Sequence, residues 1–246
     1  MSNEIKLSII NHLIELRKRI INCIVIIITT FLILSYFSNY IYHIIAIPLI
    51  KLLPYGTKMI AINISSPLFT PIKLTFILSI LITMPFNIYQ IWKFISPALY
   101  KKEKKIIKPL IFFSFILFYS GIIFTYYIIM PVLFMFLTKT VPNEILITAD
   151  ISNYLDFIMK LFITFGISFE IPILILLLCI IKIINTKTLK NNRSYILIIT
   201  FIISMLVTPP DILSQIILAL PMYILFEIGI LFSTIYENTI QKVKEK

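Results

Sequence analysis

Glycine is nearly missing from this chain, with four in 246 residues. Acidic residues are also few, 11 against 22 Lys and Arg, and there are only two cysteines, two histidines and one tryptophan. Each scarcity removes a class of function. No G-x-x-x-x-G-K stretch is present, so the chain lacks the loop that cradles a nucleotide's phosphates. Cys23 and Cys179 both lie inside apolar runs, which argues against a disulfide framework and against metal-ligand spacing. His12 and His43 stand alone. An intramembrane enzyme needs a nucleophile with its base, paired aspartates or a metal motif, and the apolar spans hold none of these sets. The expectation is a protein that is not an enzyme and binds no cofactor or metal.

What the chain has instead is apolar bulk. It is 59% hydrophobic and 13% charged, with a mean hydropathy of +1.01. Soluble domains run nearer half apolar and a quarter charged, so a polytopic membrane protein is expected. The first nineteen residues are polar and mixed in charge, and no small-residue cleavage site follows, so the first apolar run reads as a retained span. A helical span needs about 20 apolar residues. Six spans are expected, at about 20–37, 72–92, 109–137, 154–181, 195–208 and 212–232, in one membrane domain covering residues 1–246. The fold class is therefore all-α, six transmembrane helices in a concave bundle. Helices five and six are expected to be short. Spans three and four are long enough to tilt or protrude, whereas Pro209 and Pro210 stop span five early.

Orientation follows from the basic residues. Lys6, Arg17, Lys18 and Arg19 precede span one, and Lys93, Lys101, Lys102, Lys104, Lys105 and Lys108 gather between spans two and three. Lys182, Lys187, Lys190 and Arg193 follow span four, with Lys242, Lys244 and Lys246 in the tail. Positive charge stays inside, which places both termini in the cytoplasm. The +11 net charge is thus a topology signal rather than a nucleic-acid surface.

Against that background a few carboxylates stand out. Glu15 lies among Arg17, Lys18 and Arg19, and Glu103 among Lys101, Lys102, Lys104 and Lys105. Local pairing on a helix surface, Glu15 with Lys18 or Arg19, is the plain reading. The other is that two isolated carboxylates on one membrane face each receive a cationic ligand group. Glu170 falls near the middle of span four, where an ionisable group costs about 2.5–3.5 kcal/mol and usually faces a bundle interior or wet cavity. A kinked bundle with an intramembrane carboxylate also fits a proton- or cation-coupled secondary transporter using Glu170. Gln90 and Gln215 are further inward-facing polar candidates, without assigned partners.

The chain resembles the TatC family, the core subunits of the twin-arginine protein translocase. The resemblance rests on HLIELRKR at 12–19, SPLFTPIKLTF at 66–76, PFNIYQIWKFISPALYKKEKK at 85–105 and GIIFTYYIIMP at 121–131. FGISFEIPI at 165–173, TPPD at 208–211 and LALPMYILFEIGI at 218–230 continue it along essentially the whole chain. It implies a receptor in the bacterial inner membrane for folded precursor proteins bearing Arg-Arg signal peptides. Glu15, Arg17, Phe94 and Glu103 match the signal-peptide recognition positions, with the carboxylates meeting guanidinium groups. Pro48 matches a structural position in the first periplasmic loop, Glu170 the intramembrane acidic position, and Tyr126, Asp211 and Gln215 lie in or beside signature blocks. The implied partners are TatA-type and TatB-type single-span subunits, signal peptides, membrane lipids and further copies of the chain, with the proton-motive force driving transport.

Overall fold

The computed structural model describes residues 2–52, 62, 66–95, 104–140, 150–208 and 211–244. These are almost entirely helical. Ile, Leu and Phe dominate the runs, and Ile and Phe are mediocre helix formers in water. In hydrocarbon, however, an unpaired backbone N–H or C=O is so costly that a spanning segment without sheet partners must close its hydrogen bonds within itself. The chain separates into two compact units: residues 1–45 with 65–115, and residues 46–64 with 116–246.

In the first unit, α1 (Ser2–Ser35) contains neither glycine nor proline, so nothing interrupts it between its polar start and its apolar end. None of its described side chains is buried, and Ile21, Val25, Ile28 and Leu32 turn outward as a lipid-facing surface would. Its partner is α3 (Ser66–Ile95), which runs antiparallel: Phe31 meets Phe76 edge-on at 5.7 Å, and His12 stacks on Phe94 at the other end. Polar residues recur every four positions along α3 and satisfy themselves. Thr75 Oγ1 donates to the Ile72 carbonyl (2.8 Å), Ser79 Oγ to Phe76 (2.6 Å) and Thr83 Oγ1 to Ser79 (2.8 Å). Such back-bonding lets a hydroxyl stripe sit in an apolar environment at little cost. Between these helices, α2 (Ser38–Leu52) begins in this unit; a segment expected as loop folds instead as a 15-residue apolar helix. The first residues of α4 (Lys104–Phe124) complete the unit.

Besides residues 46–64, the second unit takes in the end of α4 and continues through a π-turn, Thr125–Ile129, into α5 (Met130–Thr140). Thr125 Oγ1 donates to the Gly121 carbonyl at 2.8 Å, and the Met130 N–H reaches the Thr125 carbonyl across the widened turn. Span four is split. Helix α6 (Ile151–Ser168) stops, Phe169 and Glu170 form a turn, and α7 (Ile171–Ile180) resumes. Pro172 explains the break, since it has no N–H to offer the Ser168 carbonyl four residues back. Lys182, with φ 59°, then closes α7: the Ile183 N–H bonds Leu178 and the Lys182 N–H bonds Cys179 in a left-handed C-terminal cap.

Helices α8 (Thr186–Asn191) and α9 (Arg193–Val207) both pack on α10 (Ile212–Lys244). The expectation of a short sixth helix is corrected here. It has 33 residues, and its span-length apolar stretch covers Ile212–Thr239. Hydropathy falls after Phe232, but no glycine or proline ends the helix, and the polar extension has a partner. Glu237 accepts the Thr186 hydroxyl at 2.6 Å, which ties α10 to the start of α8. Helix α9 is short as expected, at 15 residues. Phe118, Phe165, Leu155, Ile158, Leu218 and Met222 are among the fully buried side chains of this unit. Two glycines let helices approach closely at their backbones. A Cβ on Gly121 would lie 2.8 Å from the Phe165 carbonyl oxygen, and one on Gly229 would lie 3.0 Å from Pro172 Cα.

Candidate functional site

Glu15 sits on the face of α1 that meets α3. Helical spacing puts His12, Glu15, Arg19 and Asn22 on one stripe, at intervals of three and four residues. On α3, Gln90 and Phe94 share a face for the same reason. Antiparallel packing then sets the two stripes together. Arg19 is the hinge of the arrangement. Its Nε and Nη2 both donate to Glu15 Oε1, the former at 3.1 Å, while Nη1 donates to Gln90 Oε1 at 3.0 Å. The Arg19 side chain is only 14% exposed, against 37% for Glu15. One helix turn away, the His12 and Phe94 rings stack at 4.2 Å with 16° between their planes. Around the ion pair lies an open cleft of about 300 Å³, lined by Glu15, Lys18, Arg19, Asn22, Gln90 and Lys93.

Chemically, the cleft is a guanidinium site. One carboxylate oxygen and one amide oxygen, on different helices, accept from the same planar fork. Only an oxygen of Gln90 serves there, because its NH₂ group donates. The local-pairing reading of Glu15 therefore describes its present bonding, with Arg19 as the partner rather than Lys18. Phe94 belongs to the same seam. Arg17 does not: two residues beyond Glu15, it points about 200° round the helix and is exposed. Glu103 lies outside the described residues.

The remaining expected positions fall in the second unit; among them Pro48 lies in α2, and its side chain is outside those described. Tyr126 is half-buried in the π-turn, against Tyr127 at 5.0 Å. π-Turns inside α-helices frequently mark functional positions. Glu170 occupies the break between α6 and α7, half-buried, with its carbonyl accepting the Leu174 N–H at 2.9 Å. Asp211 caps α10: its Oδ2 accepts the Ser214 N–H at 2.7 Å, and Gln215, half-buried, follows in the first turn. Sequence reasoning named Arg19 as one of two local partners for Glu15, and left Gln90 without a partner. The first is the i+4 neighbour of Glu15. The second lies 71 residues further on, and only the α1–α3 packing reveals it.

Among the described residues, five helices long and apolar enough to span a bilayer, together with the shorter α9, define a multi-pass α-helical membrane protein. The family model for Sec-independent protein translocase protein (TatC) matches residues 11–221. The Escherichia coli K12 Sec-independent protein translocase protein TatC is 50% identical over 236 residues, covering 96% of this chain and 92% of that one. The Haemophilus influenzae protein of the same name is 51% identical over 229 residues, covering 93% and 90%. A crystal structure described as the twin arginine translocase receptor TatC superposes with a TM-score of 0.83 at 34% identity, covering 91% of this chain and 98% of that one. The chain belongs to the TatC family. It is a membrane component of a bacterial Sec-independent protein translocase.

Proposed function

We propose that this protein is the signal-peptide receptor and core subunit of a twin-arginine translocase in the bacterial inner membrane. Both termini lie in the cytoplasm, and Arg-Arg signal peptides of folded precursors dock on that face. Glu15 accepts one signal arginine and Glu103 the other, Phe94 supports the adjacent apolar part of the signal, and Arg17 contributes from the outer face of α1. TatA-type and TatB-type subunits assemble around the bundle, and the proton-motive force drives export. The observation that carries this reading is the bonding of Glu15: the carboxylate that would receive an arginine already holds a guanidinium, in a cleft open to solvent.

The transporter reading draws on Glu170 in its helix break, since discontinuous helices line substrate sites in many transporters. That architecture pairs a break in one half with a break in the other. In the first unit α1 and α3 are continuous, Pro71 and Pro85 included.

The test is photocross-linking of a twin-arginine signal peptide to the membrane-embedded protein. Wild type, Glu15→Gln and Glu103→Gln are compared, along with a Lys-Lys peptide. Cross-links should fall with either substitution and with the Lys-Lys peptide. Cross-links that persist through all three changes would place recognition elsewhere.

A further inference from the structure

We propose that Gln90 is the second acceptor of the arginine-reading site, and that Arg19 is its resident occupant, displaced when a signal arginine binds. The inference rests on the receptor reading of Glu15 and adds how that site is held when empty of signal.

An ordinary i,i+4 pair on a helix surface leaves its cation exposed and free to sample solvent. Arg19 departs from that pattern. It is largely buried, and all three of its bonded nitrogens are directed at two acceptors on two helices. Those are the bonds an external guanidinium would make. Charge argues for exchange rather than addition. Among the described residues, Glu15 is the single carboxylate lining the cleft, against Lys18, Arg19 and Lys93. A second guanidinium brought beside the first would make four cations share one anion. Swinging Arg19 out on its flexible stem keeps the count unchanged, and the open side of the cleft gives it room to leave.

Gln90 also supplies discrimination. A carboxylate alone attracts any cation, so Glu15 cannot by itself reject lysine. A fork that must satisfy Glu15 on α1 and Gln90 on α3 in one plane suits guanidinium, whereas an ammonium is a compact point donor. A neutral amide does this without adding charge to the site.

Binding of fluorescent Arg-Arg and Lys-Lys signal peptides to the full-length protein in nanodiscs tests the proposal. Arg19→Ala should bind the Arg-Arg peptide about fivefold more tightly, because a weak intramolecular competitor has gone. Arg19→Lys, which keeps the charge and the pair with Glu15 but gives up Gln90, should fall between it and wild type. Gln90→Leu should weaken Arg-Arg binding about tenfold and narrow the preference over Lys-Lys. Arg19 variants that bind equally or more weakly would overturn the exchange. An unchanged Arg/Lys preference in Gln90→Leu would overturn the selector role. Glu15→Gln in the same titration separates the two levels: if it leaves binding intact, the receptor reading fails; if it abolishes binding while Arg19→Ala does not tighten it, only the exchange fails.

Discussion

Replacing Gly121 by alanine should loosen the second unit measurably, and the size of the effect follows from one contact. The added Cβ would lie 2.8 Å from the Phe165 carbonyl oxygen and 3.0 Å from two atoms of the Phe169 ring, whereas ordinary contact begins at 3.4 Å. The ring can tilt, but the carbonyl is backbone and already accepts the Phe169 N–H at 2.9 Å, immediately before the break that carries Glu170. Relief therefore requires α4 and α6 to separate by about half an ångström, and overpacking of this kind costs about 1–3 kcal/mol. In water alanine's helix propensity would return up to about 1 kcal/mol. In a bilayer the separated helices stay helical, so that return is small and the packing cost dominates. Cys179 offers the readout. It is a free thiol, 6% exposed, in the same unit. In a Cys23→Ala background, alkylation of Cys179 under conditions where opening is at equilibrium should run about five- to 150-fold faster in Gly121→Ala. Equal rates would mean that the carbonyl moves aside freely and that glycine is not needed for this approach.

Two further substitutions test local backbone arguments. Asp211→Ala removes the acceptor for the Ser214 N–H and should cost about 1 kcal/mol, seen as faster amide exchange in the first turn of α10, while Asp211→Asn should retain most of the cap. Lys182→Gly should stabilise the end of α7 by about 1 kcal/mol, because the residue holds φ 59° and glycine adopts that conformation without the Cβ penalty; slower exchange at the Ile183 amide would register it, and no change would count against strain at that cap.

The carboxylates show where sequence reading succeeds and stops. Glu15 was conspicuous because it stands alone among cations beside an apolar run, and its i+4 partner was one of two available. What it is for depends on Gln90, and no local pattern links residues 71 positions apart. Arg17 matched a family signature, yet helix geometry turns it away from the cleft. Pro172 lies at the break in span four, yet proline alone does not mark a break, since Pro71 and Pro85 sit inside a continuous α3. The π-turn at Thr125–Ile129 had no such marker, and the sixth helix outran its hydropathy because Glu237 found Thr186 on α8.

Composition alone determined that this chain spans a membrane, because its apolar content exceeds what any water-facing surface can hide and hydrocarbon leaves the backbone little choice but helix. The lengths of the apolar runs set where spanning helices could form, and Pro172 marks one of their interruptions, both being local effects. Only the tertiary structure decided which polar groups meet. The cleft that holds a guanidinium is made by the register of α1 against α3, and that register brings together side chains from helices far apart in sequence, from Phe31 on Phe76 to His12 on Phe94.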